Sequence, residues 1–112
     1  MGSEKQFENK VKAFLKEQGC WFVKYWSGNA QNGKKFTKDG VPDLLVCWKG
    51  YFLAIELKAE DGKVSELQQW NLDQISKAGG IAFVLYPHDF EEFKAFIERK
   101  KDLCTCMESL KH

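Results

Sequence analysis

Two apolar runs separated by only two residues constrain the fold of this chain more than any other feature. Residues 41–48 and 51–58 are almost continuously hydrophobic, and Lys49-Gly50 stands between them. A two-residue connection of this kind is typical of a β-hairpin, and near-continuous hydrophobicity is typical of strands covered on both faces. The sequence therefore predicts a central hairpin in a sheet with helices on both sides.

A helix, a strand and a long loop precede the hairpin in the predicted order. Apolar residues recur at helical spacing over residues 4–18, and Ser3 and Gln6 have the spacing of a capping box at the start of this helix. Residues 20–26 are aromatic and β-branched, which predicts a strand. Residues 27–40 are rich in Gly, Asn and Lys, and a loop of this length in a small domain is usually functional or mobile.

A helix, a strand and a last helix follow the hairpin. Ser65 and Gln68 again have capping-box spacing and predict a helix that stops at the glycine pair 79–80. Residues 81–86 predict a strand, and Asp89 can cap the last helix. The whole chain, residues 1–112, is long enough for one core, so we expect a single α/β domain with a central mixed sheet flanked by helices.

Composition narrows the class of protein. The sequence has no run of the roughly 18 apolar residues that a membrane span needs, so we expect a cytoplasmic protein without a membrane segment. The four cysteines lack paired CxxC spacing, which favours reduced thiols over disulfides. We expect Cys20 and Cys47 to be buried in strands, whereas Cys104 and Cys106 form only a weak metal-binding pattern.

The distribution of charge indicates a nucleic-acid surface more clearly than its sum. The net charge of +1 gives no general attraction to DNA, yet residues 21–38 contain four lysines and no acidic residue. We expect the lysines to contact phosphates and the nearby aromatic side chains to stack on bases, with ordinary strand burial as the alternative for the aromatics. These residues are Lys24, Lys34, Lys35, Lys38, Tyr25, Trp26 and Phe36. Trp70, by its helical spacing from Leu67, is predicted to lie in the core.

The hairpin register brings three charged side chains together. With a two-residue turn, Asp43 lies directly opposite Glu56, with Cβ atoms about 4.5–5.5 Å apart, and Lys58 shares the face of Glu56. Two partly buried negative charges cost several kcal/mol unless a positive charge lies beside them. A divalent cation such as Mg²⁺ would supply that charge. The alternative is a turn at Asp43 and a solvated Glu56–Lys58 pair on an edge strand.

Three strings in the sequence carry a resemblance to a known family. GVPDLLV, IELK and SELQQW resemble the VRR-NUC branch of the PD-(D/E)XK nuclease superfamily, and the similarity extends from the first helix to Tyr86. The resemblance implies a restriction-endonuclease-like α-β-β-β-α-β core.

The resemblance also implies roles for individual residues. Asp43 and Glu56 would bind Mg²⁺ or Mn²⁺, joined by the backbone carbonyl of Leu57, and Lys58 would be the catalytic lysine. In this branch a glutamate of the first helix and a glutamine after the lysine also belong to the site. Glu8 and Gln68 are the matching residues here.

The implied function is a metal-dependent endodeoxyribonuclease. By resemblance it would be structure-specific, like a Holliday junction resolvase, and act as a homodimer in DNA repair or replication in the cytoplasm of a bacterial or phage-infected cell. One alternative is a DNA-binding module that has lost activity, which the complete set of Asp43, Glu56 and Lys58 disfavours. Another is a metal-using hydrolase of small phosphate esters, which the acid-free lysine segment disfavours.

Overall fold

The computed structural model describes residues 2–26 and 38–99. In chain order the elements are α1 (Gly2–Glu17), β1 (Trp21–Lys24), β2 (Leu44–Trp48), β3 (Tyr51–Leu57), α2 (Glu66–Lys77), β4 (Ile81–Leu85), a 3₁₀ turn (Pro87–Asp89) and α3 (residues 90–99). This order confirms the prediction. The predicted N-cap at Ser3 is wrong because the helix already begins at Gly2. The predictions for Lys34, Lys35, Phe36, Cys104 and Cys106 concern residues outside the described ranges.

The four strands form one mixed sheet in the order β1-β2-β3-β4. Neighbouring strands are antiparallel from β1 to β3, whereas β3 and β4 are parallel. Parallel strands need a long crossover connection, and α2 provides it. The sheet therefore has the predicted mixed topology.

The hairpin has the predicted two-residue turn. Lys49 and Gly50 both have positive φ angles, 49° and 87°, which is the requirement of a type I′ turn. Trp48 pairs with Tyr51, and Leu44 pairs with Ile55 at the far end of β2. The predicted register is confirmed.

One face of the sheet is buried beneath α1 and α3. The two helices and the strands contribute the following core residues: Phe7, Val11, Phe14, Leu15, Leu44, Val46, Trp48, Leu53, Ile55, Leu57, Leu85, Phe90, Phe93 and Ile97. The ring of Phe14 packs edge-on against Phe90 and Phe93, with centroids 6.0 and 5.7 Å apart. Such aromatic contacts join α1 to α3 directly. None of the helices in the described ranges is long and apolar enough to cross a bilayer.

The other face of the sheet is only partly covered. Among the described elements, α2 is the helix on this side, and it packs against β3 and β4. The predicted burial of Cys47 and Trp70 is wrong. Cys47 points from β2 to this side and is exposed, and Trp70 on the flank of α2 is 51% exposed. Cys20 is half-buried, and both thiols are free, as predicted.

The approach of the chain to β2 depends on Gly40. This residue has a φ of +75°, and a Cβ atom there would lie 2.6 Å from the Leu67 side chain and 2.9 Å from that of Asn71. Gly19 has a similar φ of +76° but nothing within 4 Å of the corresponding position. Substitutions at Gly19 and Gly40 therefore distinguish the energetic cost of the backbone conformation from the cost of a steric clash.

We predict that Gly40→Ala destabilises the protein more than Gly19→Ala. The left-handed conformation alone should cost about 1–2 kcal/mol in each variant, and only Gly40→Ala must also displace α2. Chemical denaturation of both variants measures the difference. Equal losses of unfolding free energy would show that α2 does not press on this loop.

Candidate active site

The candidate site lies where β2 begins and β3 ends. Asp43 immediately precedes β2, and its Oδ2 accepts a hydrogen bond from the backbone N–H of Leu57 at 2.8 Å. The backbone carbonyl of Asp43 accepts a second bond from the N–H of Tyr25 at 2.7 Å. These contacts fix Asp43 between β1 and the end of β3.

Glu56 is a buried carboxylate with an incomplete set of partners. It is 3% exposed, and its Oε2 accepts a hydrogen bond from Gln68 Nε2 at 3.0 Å and lies 3.5 Å from Lys58 Nζ. Its Oε1 is buried and has no hydrogen-bond donor among the described residues. A buried carboxylate oxygen without a donor is costly, and here it lies beside a second acid.

Asp43 and Glu56 perturb each other's ionisation. Burial and then the charge of Asp43 raise the pKa of Glu56 from 4.5 to about 7, although Lys58 opposes the shift. Burial also raises the pKa of Asp43, with the Leu57 N–H acting in the opposite direction. In the metal-free protein Glu56 therefore loses its proton only near neutral pH, and a cation beside the two carboxyl groups would favour its charged form.

Gln68 serves the helix cap and the site at once. Ser65 Oγ accepts from the N–H of Gln68 at 3.1 Å, and Gln68 Oε1 accepts from the N–H of Ser65 at 2.9 Å, which completes the predicted capping box. The amide group of the same side chain donates to Glu56. The cap therefore fixes the orientation in which Gln68 reaches the carboxylate.

Lys58 is held at the end of the parallel strand pair. Its backbone N–H donates to the carbonyl of Leu85 at 3.1 Å, and its side chain is 17% exposed. In the loop that follows, the carbonyl of Gly62 accepts a hydrogen bond from the Tyr86 hydroxyl at 3.2 Å. The segment between Lys58 and Gln68 is thus anchored on β4.

Three lysines surround the Glu8 carboxylate, on the side of Asp43 that faces away from Glu56. Its carboxylate lies 2.6 Å from Lys24 Nζ, 3.0 Å from Lys12 Nζ and 3.3 Å from Lys5 Nζ. Burial by itself would raise the pKa of Glu8, but hydrogen bonds with Lys24, Lys12 and Lys5 outweigh it and lower the pKa to about 2. Lys5 and Lys12 were not predicted, although their spacing from Glu8 on one helix, three and four residues, is a readable signal.

Asp43 is common to the two groups of charges. Glu8, Lys24, Asp43 and Leu57 line one cavity of about 250 Å³, together with Glu4 and Lys5. Glu56, Lys58 and Gln68 meet Asp43 from the α2 side. A larger cleft of about 410 Å³ lies along β4 and α3, but its lining is mainly apolar, so size alone does not identify the site.

The aromatic residues near the predicted basic segment differ in exposure. Trp26 is 71% exposed, and Lys24 Nζ lies 5.8 Å from its ring centroid. The hydroxyl of Tyr25 donates to the carbonyl of Lys38 at 2.9 Å. This hydrogen bond holds Lys38 close to the end of β1. Lys24 and Trp26 together present a cation and a flat apolar ring to solvent beside the candidate site.

Asp43 and Glu56 are the side chains at this site that could hold a divalent cation. The described ranges contain no group of three or more His, Cys, Asp and Glu side chains suited to a metal. A cation here would therefore rely on this pair, including the unpartnered Glu56 Oε1, and on backbone, water or substrate oxygens. Hard oxygen ligands of this kind suit Mg²⁺ and Mn²⁺.

We predict that Glu56→Gln stabilises the metal-free protein in a pH-dependent way. Because the folded pKa of about 7 exceeds the usual 4.5, stability present below pH 4.5 is lost as the pH rises through 7. In EDTA the variant should melt at a higher temperature than the wild type at pH 8, with little difference at pH 5. Mg²⁺ or Mn²⁺ should raise the melting temperature of the wild type only. Glu98→Gln, at an exposed position, is the control, and an equal effect of Glu56→Gln at both pH values would contradict the prediction.

Comparisons with known proteins identify the family and the fold of this chain. No curated protein sequence matches the chain. Among solved structures, Hjc, a Holliday junction resolvase from the hyperthermophilic archaeon Archaeoglobus fulgidus, is similar with a TM-score of 0.53 and 19% sequence identity. The alignment covers 73% of this chain and spans 66% of the length of Hjc, and at this identity it shows a shared restriction-endonuclease-like fold. The model of the VRR-NUC domain family matches residues 4–89, so this chain belongs to that nuclease family, within the PD-(D/E)XK superfamily.

Proposed function

We propose that this protein is a Mg²⁺- or Mn²⁺-dependent endodeoxyribonuclease that cuts branched DNA. The observation that carries the proposal is the Asp43–Glu56 pair, in which Glu56 is buried and Lys58 Nζ lies beside it. Burial and the neighbouring Asp43 charge oppose ionisation of Glu56, and a bound cation would stabilise both carboxylates in their charged form. A lysine that remains next to them supplies the positive charge that phosphodiester cleavage requires.

The proposed metal ligands are Asp43, Glu56 and the backbone carbonyl of Leu57. A divalent cation bound there would polarise the scissile phosphate and lower the pKa of a bound water. Glu56 Oε1, which is buried without a donor, is the oxygen best suited to this role. Gln68 would keep Glu56 in place through Oε2, which leaves Oε1 for the cation.

Lys58 is the proposed catalytic residue. Its ammonium group lies within 3.5 Å of Glu56 and is largely shielded from solvent, so its charge is weakly screened. From this position it would orient the attacking water or stabilise the negative charge that grows on the phosphate oxygens. Glu8 would act less directly, by holding Lys24, Lys12 and Lys5 near Asp43.

The DNA would approach from the side of Lys24 and the lysine-rich segment. Lys24 lines the same cavity as Asp43, and Trp26 is exposed next to it. Lys34, Lys35 and Lys38 are proposed to extend this surface along the phosphate backbone. Stacking of unpaired bases on exposed aromatic rings would favour branched substrates over plain duplex.

A homodimer fits this proposal. A branched substrate such as a Holliday junction needs two cuts, and one domain of this size offers limited area for DNA. The fold is shared with a junction resolvase, which supports the choice of substrate class. The proposed location is the cytoplasm of a bacterial or phage-infected cell, where such DNA would be met.

The first test is cleavage of labelled DNA with different metals. We expect cutting of junction and flap DNA with Mg²⁺ or Mn²⁺ and little with Ca²⁺, whose looser coordination suits binding better than this chemistry. Undiminished cutting in excess EDTA would refute metal dependence. Binding of DNA without any cutting would instead support an inactive DNA-binding module. Turnover of a small phosphodiester without competition by DNA would indicate the small-substrate hydrolase.

We predict that Lys58→Ala lowers the single-turnover rate by a factor on the order of 10² to 10³, as the loss of one positioned electrostatic donor typically does. DNA affinity should change much less. Lys77→Ala, in the last turn of α2, is the matched control and should cut at the wild-type rate. A Lys58→Ala variant with near-wild-type single-turnover cleavage would remove Lys58 from the mechanism.

The basic segment should contribute affinity and not chemistry. Replacing Lys34, Lys35 and Lys38 by alanine removes up to three phosphate contacts, each worth about one unit in the slope of log affinity against log salt. We expect weaker binding with a flatter salt dependence and an unchanged rate at saturating DNA. Alanine at Lys16 and Lys77 provides the control. Identical slopes for the wild type and the triple variant would show that these lysines do not contact phosphates.

A further inference from the structure

A short turn follows Lys58 and packs against the base of its side chain. The turn, residues 59–62, is closed by a hydrogen bond from the N–H of Gly62 to the carbonyl of Ala59 at 2.9 Å. A Cβ atom on Gly62 would lie only 3.2 Å from the Cβ of Lys58, so the backbone of the turn closely approaches this side chain. The position of the turn therefore affects the position of the Lys58 ammonium group.

Two side chains that follow β4 hold the turn from outside. The Tyr86 hydroxyl donates to the carbonyl of Gly62 at 3.2 Å, and His88 Nδ1 is hydrogen-bonded to a carboxylate oxygen of Glu60. The rings of Tyr86 and His88 are stacked, with centroids 5.5 Å apart and an angle of 8° between their planes. Because the two rings support each other, we name them together the Tyr86–His88 clamp.

Asp89 fixes the clamp from the other side. One Asp89 carboxylate oxygen accepts from the N–H of Tyr86 at 3.3 Å, and the other lies 3.4 Å from His88 Nε2. The imidazole ring therefore has a carboxylate at each nitrogen, Glu60 at Nδ1 and Asp89 at Nε2. A neutral imidazole has one N–H and can donate to only one of them, whereas the charged form has two. This arrangement favours a positively charged His88.

The same two carboxylates raise the pKa of His88. The hydrogen bond with Glu60 is the largest cause, desolvation of the ring opposes it, and the charges of Asp89 and Glu60 reinforce it. Lys10 of α1 shares a cavity of about 430 Å³ with Glu60 and Asp61, so it is a further charge near this cluster. Because the folded pKa exceeds the usual 6.5, the stabilising charge is fully present below pH 6.5. It is lost as the pH rises through the raised value.

We propose that the Tyr86–His88 clamp positions Lys58 by holding the turn 59–62 against it, and that the positive charge of His88 is required for this. The inference rests on the proposed function, in which Lys58 is the catalytic residue. Tyr86 and His88 are positioning residues, because they act on the reaction only through the turn. The clamp opposes the effect of Glu56 on the pH dependence, since Glu56 gains its charge as the pH rises whereas His88 loses it.

The exposure of the cluster sets the size of the effect. The side chains of His88 and Glu60 are 61% and 56% exposed, and an exposed ion pair of this kind changes an equilibrium by about fivefold or less. The hydrogen bond from Tyr86 to Gly62 should contribute about two- to tenfold. We therefore expect a change of about tenfold when both contacts are removed together.

Lysine labelling measures the position of Lys58 without metal or DNA. The side chain is 17% exposed, so trace acetylation by acetic anhydride at pH 7 should modify it slowly relative to the exposed Lys77. In the double variant Tyr86→Phe/His88→Gln this ratio should rise about tenfold. Asp61→Asn removes a charge from the same turn and is the matched control, with an unchanged ratio. Thermal unfolding shows that each variant is folded. An unchanged ratio in the folded double variant would overturn the proposal.

The pH profile of cleavage distinguishes the charge of His88 from a purely structural role. Single-turnover rates are measured at saturating junction DNA with Mg²⁺ from pH 6 to pH 9. His88→Gln should cut about two- to fivefold more slowly than the wild type at pH 6 and at the same rate at pH 9. His88→Arg keeps its charge throughout, so its rate relative to the wild type should rise with pH.

A titration of His88 by NMR completes the test. The pKa of His88 should fall in Glu60→Gln and stay unchanged in Asp61→Asn, because the hydrogen bond with Glu60 is the main cause of the shift. Parallel pH profiles for the wild type, His88→Gln and His88→Arg would overturn the proposal. A protein that cuts no DNA but shows the tenfold change in Lys58 labelling supports the clamp and refutes only the nuclease proposal.

Discussion

The turn at Lys49-Gly50 determines what the other end of the hairpin can do. Its two positive φ angles fix a two-residue connection, and the connection fixes every cross-strand pair back to Leu44 and Ile55. Side chains alternate between the two faces with period two, so a slip of one residue would turn Glu56 into the core and bring Leu57 out. The carboxylate pair therefore depends on a turn several residues away that contributes no atom to the site.

This arrangement requires the sheet to tolerate a costly residue. Ile55 and Leu57 point into the core beneath α1 and α3, while Glu56 between them is buried on the α2 side. Gln68 and Lys58 interact with only one of the two Glu56 carboxylate oxygens. The raised pKa of Glu56 reflects the remaining cost of burying its charge. The capping box of α2 reduces the cost of burying Glu56. It holds the Gln68 amide in a fixed orientation, and this limits the movement of the Glu56 carboxylate.

The sequence predicted the parts of the fold that depend on local patterns. The register that opposes Asp43 to Glu56 followed from turn length and alternation, and the position of Gln68 followed from capping-box spacing. Burial of Cys47 and Trp70 could not be predicted, because both residues have a core-like pattern and only the placement of α2 over β3 and β4 leaves them exposed. The convergence of Lys24 on Glu8 was also hidden, since it joins residues that are 16 positions apart and on different elements.

The exposed tryptophans of this molecule differ in whether a charged side chain lies beside the ring. Trp26 lies beside Lys24, whose ammonium group is fixed by Glu8, so ring and cation together suit a base and its phosphate. Trp21 lies in a row with Cys47 and Phe52, where a nucleic acid would find no counter-charge. The net charge of +1 does not reveal that one carboxylate, Glu8, collects three lysines at the end of the sheet where Lys24 lies. The Trp26 ring, which is paired with a lysine, and the Trp21 ring therefore lie on opposite faces of the sheet.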